Sequence, residues 1–155
     1  MIRLKKATYL KIALFLLLAA CFTHSASAED RTPAIFADHM LRGEPVTIFG
    51  DGEQTRDFVF VDDVVDAFVR AATRGGGLVC NIGTGRETSV NEVLDTMARQ
   101  SGVEVTRVTA PARPGELQRS SLDIERAGIQ LGWRPWTDLA DGTRAVLEFV
   151  AAGLG

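Results

Sequence analysis

The stretch GEPVTIFGDGEQTRDFVFVDDVVDAFVRA, residues 43–71, changes period twice. VTIF, 46–49, is a short run of strand formers that ends at a Gly-Asp-Gly turn. RDFVFV, 56–61, then predicts a second strand, with Phe58 and Phe60 on one face and Val59 and Val61 on the other. From Val61 the spacing lengthens, and Val61, Val64, Val65, Phe68 and Ala72 share one face of a helix that Asp62 or Asp63 can cap. Arg56 stands between the turn and the second strand. Its planar fork suits a phosphate, and the glycines before it let backbone approach a ligand closely. A surface ion pair with Asp51 or Asp57 would account for the same residues without a ligand.

Outward from this stretch, strands and helices continue to alternate. Thr32 and Pro33 open a helix that Gly43 and Pro45 stop. LVCNIG, 78–83, is apolar without alternation, as in a strand covered on both faces. Ser89 and Glu92 form a capping box ahead of a stripe of Val90, Val93, Leu94, Met97 and Ala98, and Gly102 ends that helix. VEVTRV, 103–108, predicts a fourth strand and APARPGELQRSS, 110–121, a loop. A helix from Asp123 to Leu131 and a last one from Asp138 follow, the latter with Leu139, Thr143, Val146 and Val150 inward. This order makes the chain α/β.

The 155 residues suffice for one domain, and 46% hydrophobic with 24% charged is ordinary for a globular chain. A net charge of −3 without a basic stripe in the body argues against a nucleic-acid partner. Residues 1–28 differ in kind: Arg3, Lys5, Lys6 and Lys11, then the apolar IALFLLLAACF, then Ala26 and Ala28 at the small positions of a cleavage site. The pattern fits a signal peptide; a lipoprotein leader with lipidated Cys21, the one membrane link the sequence offers, and an accidental segment are the alternatives. Removal of 1–28 leaves a body, 29–155, with 13 arginines, 20 acidic residues and no lysine or tyrosine.

Further constellations are weaker alone. ARPGE, 112–116, sets Arg113 and Glu116 in a constrained loop able to grip a phosphate and a hydroxyl. NIGTGRET, 81–88, follows a strand and precedes a helix, but Thr88 stands where a dinucleotide fingerprint needs its third glycine. Asn81 could offer its amide to a ligand or serve a turn. One body histidine, His39, and one cysteine supply no metal ligand set. Cys80, in an apolar run, reads as a buried small hydrophobe.

Taken in order, GEPVTIFGDGEQTRDFVFVDDVVDAFVRA, NIGTGRETSVNEV and RPGELQRSSLDIERAGIQLGWRP resemble the C-terminal part of a nucleotide-sugar epimerase or dehydratase of the extended short-chain dehydrogenase family. The resemblance covers about residues 33–150. It implies an incomplete, Rossmann-type α/β fold without the NAD-binding half, and a nucleotide-diphosphate sugar as ligand. By resemblance Thr47 and Phe49 line the base, Arg56 and Arg113 clamp the diphosphate, and Asn81 lies beside it. Glu116 stands where the family usually has aspartate or histidine near the ribose. The complete enzymes use NAD and a Tyr-x-x-x-Lys pair, and are commonly homodimers. Neither that pair nor a glycine fingerprint is present here, so the resemblance implies no catalytic residue and no cofactor in this chain.

Three functions remain open on this reading. The chain is the sugar-nucleotide half of an epimerase or dehydratase, inactive alone and served by a separately encoded NAD-binding half. Alternatively it is an exported, non-catalytic module for a nucleotide sugar or phosphate, or a decayed or mis-joined reading frame. The leader points to export and the family to the cytoplasm. In every case Val65, Phe68, Val79 and Ile82 are expected to lack the cover that a complete fold would supply.

Overall fold

A computed structural model describes residues 32–154, all but the first of them within the compact unit Pro33–Gly155. The leader reading of residues 1–28, Cys21 included, lies outside the described residues. Helix α1, Thr32–Arg42, leads into strand β1, Val46–Phe49, and the two-residue strand β2, Thr55–Arg56. Helix α2, Val61–Ala71, is followed by strand β3, Thr88–Ser89, and helix α3, Val90–Ser101. Strand β4, Arg107–Ala110, helix α4, Glu125–Leu131, and helix α5, Leu139–Gly153, complete the order.

β1 and β4 pair in parallel, Val46 opposite Arg107 through Phe49 opposite Ala110. β2 and β3 pair antiparallel, Thr55 opposite Ser89 and Arg56 opposite Thr88. The main core lies on the inner side of β1, where Val46 and Ile48 meet Phe36 and Met40 of α1, Val93, Leu94 and Met97 of α3, and Leu147 of α5. Helix α3 follows its sequence pattern closely. The Ser89 hydroxyl accepts from the Glu92 amide at 3.1 Å, and Gly102 ends the helix at φ 65°. The Glu92 carboxylate pairs with Arg86. Asp138 caps α5 by accepting from the Asp141 amide at 2.8 Å.

A second, smaller core joins Ala67, Ala127, Leu131 and Trp133, with Cys80 and Ile82 packed against it. Ile82, expected to lack cover, is packed here, whereas Val65, Phe68 and Val79 are exposed as expected. The inward residues of α2 are Asp63 and Ala67, while Val61, Val65 and Phe68 are exposed. Asp63 does not cap the helix; Phe60 occupies the cap position with no side-chain bond. Asp63 is instead buried and accepts from the backbone amides of Trp136 and Thr137, while the Trp133 indole donates to its carbonyl at 2.9 Å. A buried carboxylate needs such donors, and the Trp133–Thr137 turn supplies them.

Three strand expectations also change. Residues 57–60 and 78–83 are in no ladder, and the fourth strand begins at Arg107 rather than Val103. A strand exists only where a neighbour satisfies its backbone groups. Val79 is 80% exposed, and its carbonyl accepts from the Arg126 side chain, not from a strand. Cys80 is half-buried rather than buried. Around Asp57 the chain turns its carboxylate toward the 83–85 loop, which ends the extended run after Arg56.

Candidate functional site

Alternation along β1 decides which residues leave the core. Val46 and Ile48 are buried, so Thr47 and Phe49 present the opposite face. Beyond Phe49 the Gly-Asp-Gly turn reverses the chain. Gly52 adopts φ 77°, and a Cβ there would lie 2.3 Å from the Asn91 side-chain oxygen. Asn91 fixes the turn by donating to the Asp51 carbonyl at 2.9 Å and the Glu53 carboxylate at 2.7 Å. Thr55 and Arg56 are thereby brought alongside the loop at 113–119.

Four of the six residues singled out by sequence are linked here. The Arg113 guanidinium lies over the Phe49 ring, 3.9 Å from its centroid, a cation–π arrangement. Arg56 donates to the Leu117 carbonyl at 2.6 Å and lies 3.6 Å from Glu116 Oε1. The ion pair open to Arg56 on sequence, with Asp51 or Asp57, is therefore replaced by one across 60 residues. Asp51 accepts from the Glu53 amide, and Asp57 is engaged by the 83–85 loop. Thr47 sits two residues before Phe49 on the same face. Asn81 is engaged elsewhere: its amide donates to the Asp123 carbonyl at 3.1 Å.

Two residues that sequence reasoning passed over organise this cluster. Gln54 is 6% exposed and donates to the Phe49 carbonyl at 3.0 Å and to Glu116 Oε1 at 3.4 Å. Glu87 accepts from Thr55 at 3.0 Å and from two nitrogens of Arg119, at 2.8 and 3.1 Å. Hydrogen bonding from Arg119, then from Thr55, holds the Glu87 carboxyl below its usual range, and Glu87 raises Arg119 in turn. Both lie in the quoted motifs, but only pairing between distant segments gives them a role.

Among the described residues no carboxylate pairs with Arg113. Two guanidinium groups, an aromatic ring and an acid that tethers one of them can take up an anionic, aromatic-bearing ligand. A cavity of about 810 Å³ lies elsewhere, lined by Gly85, Leu122, Ile124, Gly128, Arg134 and Pro135 and by none of the six.

The glycine loop at 83–85 does not fit a dinucleotide. Asp57 accepts from the amides of Thr84 at 2.6 Å and Gly85 at 2.9 Å, so the donors that a pyrophosphate would need are already taken by a carboxylate of this chain. Thr88, at the third glycine position, is buried and paired with Arg56 in a ladder.

The chain matches the NAD dependent epimerase/dehydratase family over residues 8–83, a span that begins inside the segment read as a leader. It is 50% identical over 117 residues to a UDP-glucose 4-epimerase of Mycolicibacterium smegmatis, covering 75% of this chain and 37% of that one. Its fold is similar to the UDP-glucose 4-epimerase of Thermotoga maritima solved with UDP-glucose, at TM-score 0.77 and 43% identity over 79% of this chain and 40% of that one. It is also similar to the UDP-glucuronic acid 4-epimerase of Bacillus cereus in complex with UDP-glucuronic acid and NAD, at TM-score 0.74 and 31% identity, over 78% and 40%. The chain thus has the Rossmann-like α/β fold of these epimerases and spans about two fifths of their length.

Proposed function

We propose that this chain is the nucleotide-sugar-binding portion of an NAD-dependent epimerase/dehydratase and holds a UDP-sugar at the Phe49–Arg56–Arg113–Glu116 cluster. The single observation that carries this reading is that Gln54 ties two pairs together: Arg113 stacked on Phe49, and Arg56 beside Glu116, the two arginines coming from β2 and from a loop 57 residues later. Phe49 walls the base, the two arginines hold the diphosphate, and Glu116 faces the ribose. Similarity to epimerases solved with UDP-glucose and with UDP-glucuronic acid supports the ligand class.

Titration of UDP into the full chain by calorimetry tests the proposal. A charged hydrogen bond contributes about 1.5–3 kcal/mol, so Arg56→Ala or Arg113→Ala should weaken UDP binding about 10- to 100-fold. Uridine should bind weakly to wild type and be little affected by either change. Absence of UDP binding by wild type, or equal loss for uridine and UDP, would sink the reading.

Hydride chemistry requires an NAD-binding segment, and one face of this chain supports its docking. Val61, Val65, Phe68 and Val69 form an outward apolar stripe on α2, and Leu78 and Val79 are exposed beside it. An apolar cluster of this kind at a surface marks an interaction site. About three fifths of the relatives' length lies outside the part matched here, and the proposed partner is that remainder of the fold. Co-expression with an NAD-binding segment from a relative should give a stable complex, and Phe68→Asp should abolish it. Complex formation indifferent to Phe68→Asp would refute this use of the face.

A further inference from the structure

We propose that Gln54 is a positioning residue that sets the base wall and the ribose acceptor in one register, and so decides discrimination for ribose hydroxyls. The inference rests on the UDP-sugar reading above and adds a residue to it. Gln54 is almost fully buried, and both N–H bonds of its amide are used: one on the Phe49 carbonyl, one on Glu116 Oε1. Both partners can only accept, which leaves the amide one orientation, nitrogen toward the site. The Gln54 carbonyl accepts from the Val90 amide at 3.2 Å, and the next amide, Thr55, donates to Gln118 at 2.9 Å. The residue is therefore anchored to the first turn of α3 and to the 113–119 loop as well as to β1.

The consequence falls on Glu116, whose side chain is 7% exposed. Gln54 donates to Oε1, and Arg56 approaches the same atom, while among the described residues no group bonds Oε2. One oxygen is held in place and the other is left to accept a hydroxyl proton. Without the Gln54 amide, Arg56 alone, at 3.6 Å, restrains the carboxylate, and the acceptor loses its fixed direction. The Phe49 carbonyl would lose its tether together with it, so base and ribose positions would loosen together.

Binding of UDP, 2′-deoxy-UDP and 3′-deoxy-UDP to the full chain, with Gln54→Met and Gln54→Glu variants, tests this. One hydrogen bond to a fixed carboxylate predicts that wild type favours UDP over one deoxy analogue about tenfold. In Gln54→Met that ratio should fall toward one while UDP binding weakens about tenfold. Gln54→Glu, which sets an acceptor against two acceptors, should bind worse still. A purely structural role would weaken all three ligands equally and leave the ratio intact, and that result overturns the inference. If neither variant folds, the Gln54 side-chain amide signals of wild type decide by NMR. They should shift more with UDP than with the disfavoured deoxy analogue, and equal shifts refute the inference. No UDP binding by wild type removes the proposed function and this inference with it; UDP binding with an unchanged ratio removes the inference alone.

Discussion

Replacing Asp57 by alanine should be among the most damaging single changes outside the apolar cores. The carboxylate accepts four hydrogen bonds: from the Thr84 amide at 2.6 Å, the Thr84 hydroxyl at 2.5 Å, the Gly85 amide at 2.9 Å and the Leu122 amide at 3.1 Å. It thus joins the end of β2 to the 83–85 loop and to the segment that enters α4. The two bonds to Thr84 are partly buried and the other two are exposed. Water replaces the exposed pair after truncation, so the cost comes chiefly from Thr84. At about 1.5 kcal/mol for each bond to a charged group, Asp57→Ala should lose about 3 kcal/mol. Asp57→Asn keeps one acceptor and should lose about half as much.

Gly83 examines the same geometry from the other side. A Cβ at Gly83 would lie 2.7 Å from Asp57 Oδ2 and 3.0 Å from Leu122 Cδ1. Gly83→Ala should therefore destabilise wild type by about 1–3 kcal/mol, the range for overpacking. In the Asp57→Ala background most of that penalty should vanish, giving a coupling energy of about 1 kcal/mol or more. Urea unfolding followed through the fluorescence of the buried Trp133 measures all four corners. With a slope of about 1–3 kcal/mol per M, a 3 kcal/mol loss moves the midpoint by about 1–3 M. An Asp57→Ala cost below about 0.5 kcal/mol, the level of a neutral surface change, or additive behaviour of the pair, would refute the argument.

Gly52→Ala combines a positive φ with a 2.3 Å approach to Asn91, and its unfolding midpoint should fall by an amount equal to about 1–3 kcal/mol; the loss should shrink when Asn91 is also alanine. Because the folded Glu87 carboxyl is held low by Arg119 and Thr55, its contribution is complete above the ordinary value of 4.5 and declines as pH falls through the lowered folded value. Acid titration of stability should therefore be shallower for Glu87→Gln than for wild type below pH 4.5, and parallel curves would contradict that assignment. Purified chain, with or without added NAD, should not turn over UDP-glucose or UDP-glucuronic acid, because the body holds neither tyrosine nor lysine for the proton transfer; activity that survives repurification would overturn this. Val69→Ser with Val79→Ser should cut binding of an apolar dye and shift the Trp133 unfolding curve by less than about 0.5 kcal/mol, since these two residues are 58% and 80% exposed.

The residues determined by themselves whatever depends on near neighbours. Helix α3 was legible from Ser89, Glu92 and Gly102 because a cap, a stripe and a stop act within a few residues. β1 was legible for the same reason, while the turning of Thr47 and Phe49 away from the core emerged with the burial of Val46 and Ile48. The motifs likewise indicated an α/β fold and brought Arg56, Arg113 and Glu116 forward as ligand groups. The tertiary structure decided what needs a partner far along the chain. RDFVFV and LVCNIG carry strand composition, but a ladder requires a neighbour's backbone, and only Thr55–Arg56 finds one. The apolar face of α2 follows the period of a core helix, yet Trp133 and Ala127 meet its opposite side at Ala67, and Asp63 goes inside because two amides from a distant turn await it. The partner of Arg56 was open to Asp51 and Asp57 on the basis of proximity in sequence. Folding placed Glu116 there instead and brought Gln54 to the same carboxylate oxygen, since electrostatic and hydrogen-bonded contacts depend on distance in space, which the order of residues does not specify.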